Sequence, residues 1–332
     1  MKKFTLLFVA ALTLQAAIAQ TARVQVIHNS ADAAAAVVDV YVDTTLALDD
    51  VAFRDASPFV DLPANVQINL GVAPGNSTSS GDVIASFPVT LMANETYVVV
   101  ADGIISPTGY DPAPPFNLEI YDMGRESATD PNNTDVLVHH GSTDAPTVDV
   151  VETGVGAGTI VDDISYSEFA GYLELPTVDY ILDVTDETGT VTVARYQAPL
   201  ATLALDGAAL VVVASGFLDP SNNSDGEPFG LYVALPSGGE MIPLPLLLST
   251  PDFGSNDVVV YPNPSSDLVN IKGLDETDYT IQLIDLQGRI VSDKFSAAEN
   301  PTINISDLAN GIYQMVISDS NGILGSKRII KE

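Results

Sequence analysis

His28, Ser30 and Asp32 alternate along Arg23-Val-Gln-Val-Ile-His28-Asn-Ser30-Ala-Asp32-Ala33. His140, Ser142 and Asp144 do the same along Val136-Leu-Val-His139-His140-Gly-Ser142-Thr-Asp144-Ala-Pro146. A base, a hydroxyl and a carboxylate are the parts of a nucleophilic triad. A triad, however, needs side chains that converge from separate segments. Alternate residues of a strand share a face but point along parallel lines, and the chain has no Gly-x-Ser-x-Gly elbow. The pattern reads instead as a strand ending in a turn. There the Ser and Asp oxygens accept from nearby backbone amides, and the His ring packs or bonds locally.

Metal chemistry is narrowed in the same way. The chain holds three histidines and no cysteine, and His139 and His140 are adjacent, so a strand turns them to opposite faces. Three or four converging zinc ligands are not available from that set. Calcium fits better as a cofactor. Asp219, Ser221, Asn223 and Asp225 put oxygen side chains at every second position of Asp-Pro-Ser-Asn-Asn-Ser-Asp-Gly-Glu227, and calcium takes six to eight oxygens. The loop departs from an EF-hand, with Ser224 at the glycine position and Gly230 where the bidentate glutamate belongs. Asp130-Pro-Asn-Asn-Thr-Asp135 is a weaker echo of the pattern, and the favoured reading of both is an ordinary solvated loop with no cofactor, calcium being the alternative. Glycoside hydrolysis needs a paired set of carboxylates, but no spacing singles one out and tryptophan is absent.

The elements that must position these residues are strands. Val24, Val26 and His28 alternate with Gln25 and Ile27, and Val38, Val40 and Val42 alternate with Asp39, Tyr41 and Asp43. Further strands are expected at Asn65–Val72, Asp82–Leu91, Thr96–Ala101 and Phe116–Tyr121, with turn formers between them. No amphipathic helix interrupts the series. Short strands at this spacing predict an antiparallel β-sandwich.

The pattern then repeats. Phe53 matches Tyr166, Pro63 matches Pro176, Gly103 matches Gly216 and Phe116 matches Phe229, all 113 residues apart, and His28 matches His140 at 112. A register held over so much chain marks tandem copies of one fold, and the period is too long for a solenoid. The expected divisions are a leader at 1–19, sandwiches at 20–135 and 136–248, a linker at 249–256 and a terminal domain at 257–332. The copies are expected as beads joined by Tyr121–Asp135.

Arg-Val-x-x-x-His-x-Ser-x-Asp-Ala followed by Val-Asp-Val-Tyr-Val resembles the bacterial domain-of-unknown-function 4397 family. The likeness covers about Ala22 to Leu244 in two copies. The first has Ala34 where the family places proline, and the second keeps Pro146 but lacks the arginine. That resemblance implies a fold and brings no catalytic residues.

Charge and the chain ends speak to location. The formal net charge is −32, and between Lys3 and Lys272 the cations are Arg23, Arg54, Arg125 and Arg195. Such a surface repels phosphate backbones and excludes nucleic acid as a partner. Met1-Lys-Lys, the apolar run Phe4–Leu14 and Ala17-Ile18-Ala19 read as a secretory signal peptide cleaved after Ala19. No later run is long enough for a transmembrane helix.

Residues 257–332 carry six cations against eleven acids, a change of composition. They contain Tyr261-Pro262-Asn263-Pro264, Gly288-Arg289, Gly311-Ile-Tyr313 and Lys327-Arg-Ile-Ile-Lys331 in that order. These resemble the C-terminal sorting domain of type IX secretion, a small β-sandwich. The resemblance implies partnership with that machinery and its C-terminal processing enzyme, then anchoring to surface lipopolysaccharide or release from a Gram-negative cell. The whole chain is therefore expected to be all-β, two tandem antiparallel β-sandwich domains plus the sorting domain. Its function is expected to be non-catalytic binding of an extracellular ligand, adhesion or spacing. A secreted hydrolase using acidic residues is the alternative.

Overall fold

A computed structural model of the chain describes residues 20–189, 191–247, 259–273, 279–285, 289–292, 295–297, 302–318 and 323–332. The leader, the linker 249–256 and Gly288 lie outside them. The fold is all-β, and among the described residues three single-turn 3₁₀ segments are the helical pieces. Two compact units divide the chain near Leu247.

In the first unit the strands are β1 (Thr21–His28), β2 (Val37–Val42), β3 (Thr45–Ala52), β4 (Asp55–Ala56), β5 (Val60–Pro63), β6 (Gln67–Pro74), β7 (Ala85–Thr90), β8 (Thr96–Asp102) and β9 (Asn117–Tyr121). They are followed by β10 (Asn133–His140), β11 (Val148–Glu152), β12 (Gly158–Ile164), β13 (Phe169–Pro176), β14 (Asp179–Asp186) and β15 (Thr192–Pro199). β16 (Ala209–Ser215), β17 (Gly230–Ala234), β18 (Gly239–Glu240) and β19 (Ile242–Pro243) complete the unit. β10 begins within the stretch expected to be linker.

The first sandwich pairs the sheet β18-β4-β1-β8-β9, with β5 also on β1, against β3-β2-β6-β7. The second pairs β13-β10-β16-β17-β19 against β12-β11-β14-β15. Pairings are antiparallel with one departure in each copy: β1 runs parallel to β8, and β10 runs parallel to β16. Parallel strands need cover on both faces, and both pairs have it. Val24, Val26 and Val99 enter the core of the first sandwich, while Ile27, Val98 and Val100 point the other way and are also buried. On the second copy Val136 and Val212 face inward, and Leu137, Val211 and Val213 face outward.

Those two outward faces meet. Ile27, Val98, Val100, Leu137, Val211 and Val213 form one buried cluster with Phe59 and Met241. The two sandwiches are thus stacked sheet on sheet, not strung as beads. Each also reaches across to the other. β18 of the second copy extends the first copy's sheet by pairing with β4. In return the first copy's tail lends the Arg125 amide to Tyr172 Oη at 2.9 Å and the Ala128 amide to the Gly207 carbonyl at 2.9 Å.

The second unit holds β20 (Val259–Tyr261), β21 (Leu268–Lys272), β22 (Tyr279–Asp285), β23 (Phe295–Ala297), β24 (Thr302–Asn304), β25 (Gly311–Ser318) and β26 (Ile323–Lys331). The sheets β20-β21-β24 and β23-β22-β25-β26 enclose a core of Val269, Ile271, Ile281, Leu283, Met315 and Ile329.

Candidate functional site

The repeated His-x-Ser-x-Asp sits where β1 and β10 end, beside the loops that leave their parallel partners. Ser30 Oγ donates to the Gly103 carbonyl at 2.6 Å, and Ser142 Oγ donates to the Gly216 carbonyl at the same distance. Asp32 accepts from the amides of Ile105 at 2.7 Å and Ser106 at 2.6 Å, from Ser106 Oγ at 2.7 Å and from the Ala34 amide at 2.9 Å. Asp144 accepts from the amides of Leu218 and Asp219, both at 2.8 Å, and from Asn223 Nδ2 at 3.0 Å. The motif therefore clamps a loop more than 70 residues away, whereas local amides were expected; the local bonds of these side chains are the Ala34 amide to Asp32 and Ser142 Oγ to Asp144 at 3.3 Å. A parallel pair has no hairpin to fix its ends, and these carboxylates fix them.

Both motif histidines turn into their sandwich. His28 Nε2 lies 2.6 Å from the Ala35 carbonyl, and His140 Nε2 lies 3.1 Å from the Pro146 carbonyl. A carbonyl can only accept, so each ring carries its proton on Nε2. Burial pushes both imidazoles below the usual histidine range, outweighing the carbonyl bonds that favour the charged form. Burial pushes Asp32 upward, but the bonds from Ser106, Ala34 and Ile105 prevail and hold it below the usual carboxylate range.

His139, on the opposite face as expected, leads to a group that the sequence concealed. Its Nε2 lies 2.6 Å from Asp102 Oδ2, both side chains fully buried between the copies. Asn29 Nδ2 donates to Asp102 Oδ1 at 2.6 Å and to the Gly141 carbonyl at 3.1 Å. Arg54 crosses in the other direction. Its Nε donates to Ser215 Oγ at 3.0 Å and its Nη2 to the Pro228 carbonyl at 2.8 Å, while the guanidinium lies 3.9 Å over the Tyr232 ring. One signal for Arg54 was available: it is among four cations in an acidic stretch, and each of the four has a carboxylate partner.

The four expected calcium ligands do not form an open ring of oxygens. Asn223 is buried; its Oδ1 accepts from the Asp111 amide at 3.0 Å, and its Nδ2 donates to Asp144 and to the Asp219 carbonyl. Asp219 Oδ1 accepts from Ser221 Oγ at 2.6 Å and Oδ2 from Asn222 Nδ2 at 2.8 Å. Asp225 adopts a positive φ of 51° at the turn. Among the described residues, the carboxylates that gather are Asp39, Asp49 and Asp50, with an oxygen of each within 4.8 Å of the others. Asp39 is buried and already accepts from the Asp50 amide at 2.9 Å and from Ser77 Oγ at 2.5 Å.

In the second unit the terminal motif residues hold the sandwich edges together. Asn263 Nδ2 donates to the Arg328 carbonyl at 2.7 Å, and its Oδ1 accepts from the Ile330 amide at 2.8 Å. It stands between Pro262 and Pro264, after Tyr261, in a turn that docks beside Lys327 and Lys331 on β26. Gly311 pairs with Lys331, Tyr313 Oη donates to the Ala309 carbonyl at 2.7 Å, and Arg289 closes on Asp285 at 2.8 Å.

Residues 259–332 match the family model described as the secretion system C-terminal sorting domain. The protein is exported to the outer cell surface or beyond. Residues 22–113 match the model described as a domain of unknown function, DUF4397. No curated protein matches the chain. Among solved structures, the Bacteroides ovatus mixed-linkage glucan utilization locus protein SGBP-B, in complex with a mixed-linkage heptasaccharide, aligns over 94% of this chain at 13% identity. The TM-score is 0.18 and the alignment spans 66% of that chain's length, a likeness too loose to bear on this one.

Proposed function

We propose that residues 20–247 are a non-catalytic module that binds, adheres or spaces outside the cell, built from two tandem copies of the domain of unknown function locked into one body. The signal peptide would leave after Ala19. The sorting domain would bring the chain to the type IX machinery and its C-terminal processing enzyme, with anchoring to lipopolysaccharide or release to follow. One observation carries the non-catalytic reading: in both copies the Ser and Asp of His-x-Ser-x-Asp are spent on the loop after the parallel neighbour. What remains of each motif is a buried neutral histidine, and a nucleophile cannot reach it from solvent.

The alternative, a secreted hydrolase working through carboxylates, is favoured by one place, the Asp39, Asp49 and Asp50 group. Its buried member already accepts a hydrogen bond on each carboxylate oxygen, which argues for turn-holding there. A panel of surface polysaccharides and matrix proteins, scored both for saturable binding and for cleavage, separates the two. Binding without cleavage is expected. Cleavage abolished by Asp49→Asn with the fold intact would replace the module reading by the hydrolase.

A further inference from the structure

We propose that the interior of the second sandwich binds a small neutral molecule with an apolar body and one hydrogen-bond donor, recognised by His140 Nδ1. Between the sheets lies a cavity of about 70 Å³, lined almost wholly by aliphatic side chains. His140 lines it, is 2% exposed, and has no hydrogen-bond partner at Nδ1. Because Nε2 holds the ring's proton against the Pro146 carbonyl, Nδ1 is a bare acceptor.

The first sandwich has the same arrangement at smaller scale. His28, Val99 and Leu118 line a cavity of about 20 Å³ there, and their counterparts His140, Val212 and Leu231 line the larger one. His28 Nδ1 is likewise without a partner. His139 Nδ1 is bare as well, so an unpartnered ring nitrogen alone marks no site; what singles out His140 is that it lines the enlarged cavity.

The chemistry of the walls selects the occupant. A buried water needs two to four polar partners, and His140 Nδ1 offers one. An anion would set acceptor against acceptor in apolar surroundings, and a cation would find no counter-charge there. A molecule with one hydroxyl satisfies Nδ1 and covers its carbons with the aliphatic walls. An apolar cavity of about 150 Å³ admits benzene with its six heavy atoms, so one about half that size takes roughly three, the size of ethanol.

The test is methyl NMR of the full chain, titrated with ethanol and, separately, with its donor-free analogue propane. Saturable shifts of the Val212 and Leu231 methyls with the alcohol, and about tenfold weaker binding of propane, are expected. The Val99 and Leu118 methyls of the first sandwich should not move. Val212→Ile, which adds one carbon to the cavity and keeps a β-branched strand residue, should weaken alcohol binding while leaving the rest of the spectrum unchanged. Equal affinity for alcohol and hydrocarbon, no saturable shift, or unchanged binding in Val212→Ile would each overturn the proposal.

Discussion

The imidazole of His139 and the carboxylate of Asp102 meet at 2.6 Å in the middle of the inter-copy interface, with no solvent exposure on either. Breaking such a pair leaves a buried charge or donor alone, which is far more costly than never having built it. Asp102→Ala should therefore destabilise the first unit by roughly 3–5 kcal/mol, and His139→Ala should approach that value. Denaturant unfolding measures both.

The Asn29 contact depends on a missing side chain. A Cβ at position 141 would collide with Asn29 Nδ2 and come within 2.9 Å of Asp102 Oδ1. Gly141→Ala should cost about 1–3 kcal/mol, as overpacking does. The matching change at Asn29, Asn29→Gly, should relieve the clash, so the double variant should lose less than the sum of the two single ones.

The two clamps predict parallel losses. Asp32→Ala and Asp144→Ala each strand backbone amides that those carboxylates now accept, at a cost of roughly 1–3 kcal/mol. Binding by the folded protein to any partner found in the screen should be unchanged. Stability retained with binding lost would make the motif a site.

Acid should weaken the first unit in two steps. His28 and His140 are held below the usual range by burial, so between about pH 6.5 and their lowered folded values the unfolded chain binds protons that the folded chain does not. Stability contributed by those groups is complete above about pH 6.5 and falls as pH drops. Asp32, also depressed, adds a second loss as pH falls below the ordinary carboxylate range toward its folded value. Melting curves from pH 7.5 to 3.5 should show the first decline before any carboxylate titrates.

Calcium offers a contrasting expectation. Asn223 already bonds Asp111, Asp144 and the Asp219 carbonyl, so recruiting it as a ligand would dismantle the contact between the copies. Millimolar calcium should leave the melting temperature unchanged, whereas Asn223→Ala should lower it. A calcium-dependent rise lost in Asp225→Ala would restore the loop as a metal site.

Much of the architecture was legible because alternation and turn residues are local signals. Val98-Val-Val-Ala101 was legible as a strand, but an unbroken apolar run buried on both faces looks the same as a strand with one buried face and a chance neighbour. The sheet-on-sheet stack followed from that missed distinction. The turn of His139 away from His140 was legible, but its meeting with Asp102 and Asn29 was not. Their partners lie 37 to 112 residues away, and the copies differ there, with Gly141 matching Asn29 and Ser215 matching Asp102. Matched spacing highlights what the two sandwiches share, and this interface is made from what they do not.

The two sandwiches of the first unit form one body. Calorimetry of residues 20–247 tests it directly, by comparing calorimetric and van't Hoff enthalpies. The account predicts a single transition in which the two agree, shifted as a whole by Asp102→Ala. Two separable transitions, with Asp32→Ala moving one and Asp144→Ala the other, would contradict it.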